Sequence, residues 1–218
     1  MSLDFSFIQR NLPLFLDGMI VTVQLAALAI AISLAWGLVI ALARMSRVAP
    51  LRWLANAYIE LVRNTPVLVQ IYFIYFGFAA VGFHISGFMS ALLALAAQNG
   101  GYMAEIYRAG IQSISIKQIE GAKALGMRWR TIMSMIVLPQ AIVRVIPPIG
   151  NQSILVIKDT SLASTVAVAE MMQVGKMLTE RTAASYEVFF TLAALYLVLT
   201  GVVALAFRVL ERRLVIAH

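Results

Sequence analysis

The chain has no cysteine, which excludes disulfides and thiolate metal sites. It has only two histidines, His84 and His218, too far apart in sequence to suggest a metal cluster. A Gly-x-x-x-x-Gly-Lys-Ser/Thr run is missing, so the chain carries no phosphate loop of its own. A membrane-embedded enzyme would need a nucleophile with a base, or a set of metal ligands, and neither is found. Charge is scarce as well: 12% of the 218 residues are charged, against roughly 25% in a soluble domain. That leaves too little polar surface for a water-soluble fold.

What is present is apolar and segregated. Hydrophobic residues make up 61% of the chain. No Asp, Glu, Lys or Arg occurs from Gly18 to Ala43, from Asn64 to Ala104, or from Val188 to Phe207. A bilayer core needs about 20 apolar residues as a helix. The pattern predicts an all-α membrane protein, a single domain over 1–218, with five crossings near 18–43, 55–80, 86–107, 138–157 and 188–208. The first run is longer than a signal-peptide core and no basic stretch precedes it, so it is expected to be a retained span. The net charge of +7 does not point to nucleic acid, because the basic residues lie between apolar runs rather than on one soluble domain.

Charge also sets an expected direction. Arg44, Arg47 and Arg52 follow the first span without an acid. Arg108, Lys117, Lys123, Arg128 and Arg130 follow the third, against Glu120 alone. Arg208, Arg212 and Arg213 follow the fifth, against Glu211. The stretch 81–85 is uncharged, and in 158–187 basic and acidic residues balance. Cytoplasmic loops collect Lys and Arg, so the amino terminus is expected outside and the carboxyl terminus inside.

Two spans carry helix-breaking sequence, Arg63-Asn64-Thr65-Pro66 in the second and Pro147-Pro148 in the fourth. Proline removes a donor and pushes the preceding residue out of the α region. Backbone freed in a membrane must be satisfied by protein or by water in a cavity, so the sequence predicts two discontinuous helices beside a pathway.

The long basic segment 112–137 reads as a cytoplasmic loop. Ile119, Ala122 and Leu125 share one helical face, and Gly126 can supply a left-handed stop. A second short helix is expected from Trp129 to Leu138, ending before Pro139. This loop resembles the EAA motif of ATP-binding-cassette importer permeases: Glu-Ala-Ala, three residues, Gly, nine residues, Ile, one residue, Leu-Pro. Glu120, Gly121, Ala122, Gly126, Ile136, Leu138 and Pro139 stand at those spacings, with Gly121 replacing the middle Ala. Arg63-Asn64-Thr65-Pro66 with Gln70, Glu105-Ile106-Tyr107-Arg108-Ala109-Gly110-Ile111, Leu138-Pro139-Gln140-Ala141 and Lys158-Asp159-Thr160-Ser161-Leu162 resemble the polar amino-acid branch of that family.

The resemblance implies a permease subunit in the bacterial inner membrane, paired with a copy of itself or a paralogue. It implies two cytoplasmic ATPases on the loop, with Glu120, Gly121, Ala122 and Gly126 in coupling, and an extracytoplasmic binding protein that delivers an amino acid. ATP and Mg would sit on the ATPase, and no cofactor on this chain. An ion-coupled carrier or channel fits poorly, since such carriers usually show internal repeats over more spans. A scaffold half whose paralogue alone holds the substrate site stays open.

Polar groups inside spans are expensive unless paired or functional. Gln98, Asn99, Tyr102 and Glu105 in the third span, Thr65 at the first break, and Asn151, Asp159 and Ser161 after the second are therefore the expected substrate pathway. Half-helix ends after Pro66 and Pro148 would meet the substrate carboxylate, and Asp159 or Glu105 its ammonium. Bland alternatives exist: amides that bond neighbouring helices, an Asp159 helix cap, and a Glu105–Arg108 pair. The charge pattern also makes a prediction. A tag inserted near residue 180 should react with a membrane-impermeant label applied from outside the cell; protection there would contradict the five-span arrangement.

Overall fold

The computed structural model describes residues 5–216, and His218 lies outside them. All the regular elements among the described residues are helices. Helix α1 (Phe5–Arg44) is 40 residues long. Helix α2 (Ala49–Asn64) is followed by α3 (Val67–Ala80), which contains a π-helical turn at Phe73–Gly77. Helix α4 (Gly87–Gln112) leads to the short α5 (Ile116–Ala124). Helix α6 (Trp129–Val166) has a π turn at Met133–Val137, an α-helical body over Leu138–Asp159 and a 3-10 end at Thr160–Val166. Helices α7 (Met171–Thr182) and α8 (Ser185–Ile216) complete the fold.

Helices α1, α6 and α8 are long and apolar enough to cross a membrane, and α3 is a shorter apolar helix. At 26 residues α4 spans about 39 Å, but its Gln98-Asn99-Gly100-Gly101 stretch lowers its apolarity. Leu197, Val198, Val202 and Leu205 of α8 are exposed, as are Phe73 and Phe76 of α3. Apolar surface on this scale suits lipid rather than water.

Helix α4 is the centre of the bundle, in contact with α1, α2, α3 and α6. Its buried surface is rich in Ala, Gly and Ser, the small residues that let membrane helices approach closely. A Cβ at Gly37 of α1 would lie 2.5 Å from Met103 Cβ and 2.9 Å from the Gly100 carbonyl oxygen, so α1 and α4 touch almost backbone to backbone. Helix α8 meets α6 through a side chain instead, with the Phe207 ring packed on Gly150.

Helix α1 begins well before the expected 18. Phe7, Phe15 and Met19 fall on one face and pack with Met171, Val174 and Leu178 of α7 and Val188 and Leu192 of α8. Helix α7 itself was expected as loop. Its cap, Glu170, is fully buried, and its carboxylate accepts the backbone N–H groups of Met172 and Gln173 and the Tyr196 hydroxyl. Burial pushes this carboxyl up from its ordinary value, although those hydrogen bonds pull the other way.

The expected break at Pro66 is present. Thr65 is extended, with φ −109° and ψ 136°, and the helix restarts at Val67. The break expected at Pro147-Pro148 is absent, because both prolines lie inside the body of α6. Proline's φ is itself helical, and the cost is a lost donor and a local clash. Phe207 of α8 packs on Gly150 just beyond the two prolines, while Pro148 itself borders the cleft described below. No half-helix therefore begins after Pro148. Nor does a separate helix stop before Pro139, which falls in the turn after the π segment, where a missing N–H matters little.

The close approach at Gly37 is testable. Gly37→Val should lower the thermal midpoint of the detergent-solubilised protein by several degrees, since overpacking typically costs about 1–3 kcal/mol. Gly201→Ala, with nothing within 4 Å of the new methyl, should leave it unchanged.

Candidate functional site

The break at Pro66 organises the polar residues around it. Pro66 cannot donate to the Val62 carbonyl four residues back. Gln70 does so instead: its Nε2 lies 2.9 Å from Val62 O and 2.8 Å from Thr65 Oγ1. The Thr65 hydroxyl donates to Leu61 O at 2.8 Å. Gln98 Nε2 reaches across from α4 to donate to Thr65 O at 3.1 Å. Gln98 and Thr65 thus answer backbone groups that the break leaves open, as a membrane interior demands.

One turn away the polar surface continues. Asn99 is 1% exposed; its amide donates to Leu95 O at 2.8 Å, and its Oδ1 accepts from Gln152 Nε2 of α6 at 2.7 Å. Arg63 lies over the Tyr102 ring at 4.9 Å. Glu105 holds three arginines. It is paired with Arg44 of α1, lies 3.7 Å from Arg63 of α2, and accepts from Arg108 at 2.6 Å and 3.0 Å. The expected Glu105–Arg108 pair is therefore part of a larger cluster joining three helices.

Between α4 and α6 lies an open cleft of about 490 Å³, lined by Arg63, Tyr102, Glu105, Arg144, Pro148 and Gln152 among others. Tyr102 and Glu105 line it, while Asn99 lies buried behind its wall, bonded to Gln152, and Gln98 and Thr65 are bonded to each other beside the break. The other expected residues sit elsewhere. Asn151 is exposed and does not line the cleft. Asp159 is half-buried two turns beyond Gln152 and makes no capping bond to the 3-10 turn that follows. Ser161 donates to Lys158 O at 2.7 Å and lines a separate cavity of about 330 Å³ with Lys158 and Tyr196.

Gln152, Arg144 and Gln70 were not among the expected site residues. Arg144, Pro148 and Gln152 are spaced by four and would have read as one helical flank, had the prolines not suggested a break.

The basic loop is a folded unit. Ala122 is buried with Ile114, Ile132 and Val137, so α5 packs on the start of α6. Gly126 has φ +78°, which its missing side chain permits. Its N–H donates to Lys123 O at 2.9 Å, and Met127 N–H to Ala122 O at 3.1 Å. Glu120 and Gly121 are exposed on the opposite side, and a Cβ at Gly121 would meet nothing within 4 Å. Leu125, an apolar residue, is 83% exposed.

A bundle of apolar helices with a polar cleft between α4 and α6 is the architecture of a membrane protein. The chain belongs to the binding-protein-dependent transport system inner membrane component family, which it matches over residues 33–216. It is 35% identical over 209 residues to the probable glutamine ABC transporter permease of Bacillus subtilis (strain 168), covering 96% of this chain and 97% of that protein. It is 36% identical over 221 residues to the glutamine transport system permease of Escherichia coli (strain K12), covering 98% and 99%. Its fold matches a chain of a solved amino acid ABC transporter with histidines at a TM-score of 0.93, with 36% identity over 98% of this chain and 100% of that one. The protein is thus a multi-pass inner-membrane permease subunit of an ABC importer, a transport component rather than the ATPase. Its family implies ATPase and binding-protein partners.

Proposed function

We propose that this subunit lines the inward passage of a polar amino acid and holds the substrate in the cleft between α4 and α6. The observation that carries this reading is the convergence of Asn99, Tyr102 and Glu105 of α4 with Gln152 and Arg144 of α6, beside the break at Pro66. The Gln152 amide, the Arg144 guanidinium, the Tyr102 hydroxyl and the Glu105 carboxylate around one cleft supply both the donors and the acceptors that an amino acid requires, with Asn99 holding Gln152 from behind. The relatives named for glutamine, and the solved amino acid transporter, support the substrate class. Thr65 and Gln98 hold the break beside the cleft. Asp159 and Ser161 belong to the pathway further along α6, away from the binding cleft, and Asn151 to its exposed flank beside Gln152.

The subunit acts in a pair with a copy of itself or a paralogous permease. Its chain crosses the membrane five times, amino terminus outside and carboxyl terminus inside. Segment 112–137 is the coupling loop: two cytoplasmic ATPases, which hold ATP and Mg, dock against Glu120, Gly121, Ala122 and Gly126. An extracytoplasmic binding protein presents the substrate on the other side.

Two substitutions test this reading in proteoliposomes containing the assembled transporter. Asn99→Ala removes Gln152's acceptor and should raise the KM for uptake about tenfold without loss of assembly, the size of a buried hydrogen bond left unmade. An unchanged KM and rate would move the site to the partner subunit. Gly126→Val forces a β-branched residue into a left-handed position and should abolish ATPase docking or uncouple hydrolysis from uptake.

A further inference from the structure

On α6, Gln140, Arg144, Pro148 and Gln152 stand four residues apart. Such a row is one ridge of a helix, the kind that packs along a neighbour. Each of its polar members bonds to a different part of the continuous stretch formed by α4 and α5. Gln140 Nε2 donates to Gln118 Oε1 of α5 at 2.9 Å. Arg144 donates to the Ser113 carbonyl, and to Ser113 Oγ at 2.9 Å, where α4 ends. Gln152 donates to Asn99 Oδ1 in the middle of α4 at 2.7 Å. The ridge therefore runs from the loop to the cleft.

What lies between the loop and this ridge gives it a purpose. Helix α6 leaves the loop at Trp129 and passes through the π turn at Met133–Val137 before reaching Gln140. A π turn is an irregular joint, often found at functional positions, where a push along the backbone can be absorbed. The Gln118–Gln140 bond spans the loop side to side and enters α6 beyond that joint. Arg144 adds a second tie one turn further on.

We propose that Gln140 and Arg144 are coupling residues: they carry displacement of α5 onto α6 past the π turn, and Gln152 delivers it to Asn99 at the cleft. Gln140 is a positioning residue, since it does not line the cleft; Arg144 lines the cleft and is also tied to Ser113, so the test is made at Gln140. The proposal rests on the reading of 112–137 as the ATPase-coupled loop.

The test uses the assembled transporter in proteoliposomes, with binding protein, ATPase and substrate, and reads uptake per ATP hydrolysed. Gln140→Leu should keep binding-protein-stimulated hydrolysis while lowering uptake per ATP about fivefold, the size of one net hydrogen bond. A merely structural role would lower hydrolysis and uptake together and leave their ratio unchanged. The pair Gln118→Glu with Gln140→Lys replaces the hydrogen bond with a charged one and should restore the ratio that each single change lowers. An unchanged ratio in Gln140→Leu overturns the proposal. So does a paired variant that fails to recover, whether by lost coupling or by lost assembly. If Gln140→Leu does not assemble, the pair alone decides. Gly126→Val separates the two readings: if it transports normally, the loop reading fails, whereas if it uncouples and Gln140→Leu does not, only the ridge proposal fails.

Discussion

A helix broken by proline leaves carbonyls without their usual donor, and much of this structure follows from how the break at Pro66 is answered. Gln70 replaces the missing donor at Val62 from within the same strand of chain, and Gln98 comes from α4 to take Thr65 O. The second of these bonds requires α4 to lie directly against the break. That proximity sets Asn99, the next residue, and Tyr102 and Glu105, one and two turns further along α4, beside Arg63 and α6. The cleft thus opens where the backbone has been forced out of the helix.

Close packing then fixes α4 in place. Gly100 and Gly101 admit Trp36 of α1 and Val62 of α2, and Tyr58 donates to the carbonyl of Ala97 at 2.6 Å. Further along, Glu105 collects arginines from α1, α2 and α4 itself. Losing that one carboxylate would leave like charges facing each other in a region only partly open to solvent. A helix held by steric fit at its centre and by ions toward its end is a stable reference against which α6 can move.

Much of this was legible in the sequence. Charge-free runs located the long helices, because a bilayer tolerates few charges. The Pro66 break, the short α5 and the left-handed Gly126 followed from local rules that packing does not override. Three features were not legible. Pro147-Pro148 looked like a break, but a continuous helix can carry prolines, whose φ is itself helical, and Phe207 on Gly150 is a contact between residues far apart in sequence. The first turns of α1, with Arg10 and Asp17, and α7, capped by Glu170, read as loop until Phe7 and Phe15 are seen to pack against α7. The sequence pointed to Asn151, but the residue bonded to Asn99 is its neighbour Gln152, because the phase of α6 is set by tertiary contact. Asp159 was chosen for its charge, yet it lies two turns from the cleft.

The central claim is that this subunit's own α4–α6 cleft receives the substrate. The most direct test is an experimental structure of the assembled transporter in a lipid nanodisc with its amino acid bound. Ligand density between Tyr102, Glu105 and Gln152, with the Asn99–Gln152 pair rearranged or in contact with it, is the expected result. Density confined to a partner permease, or seated only beside Asp159 and Ser161, would contradict it.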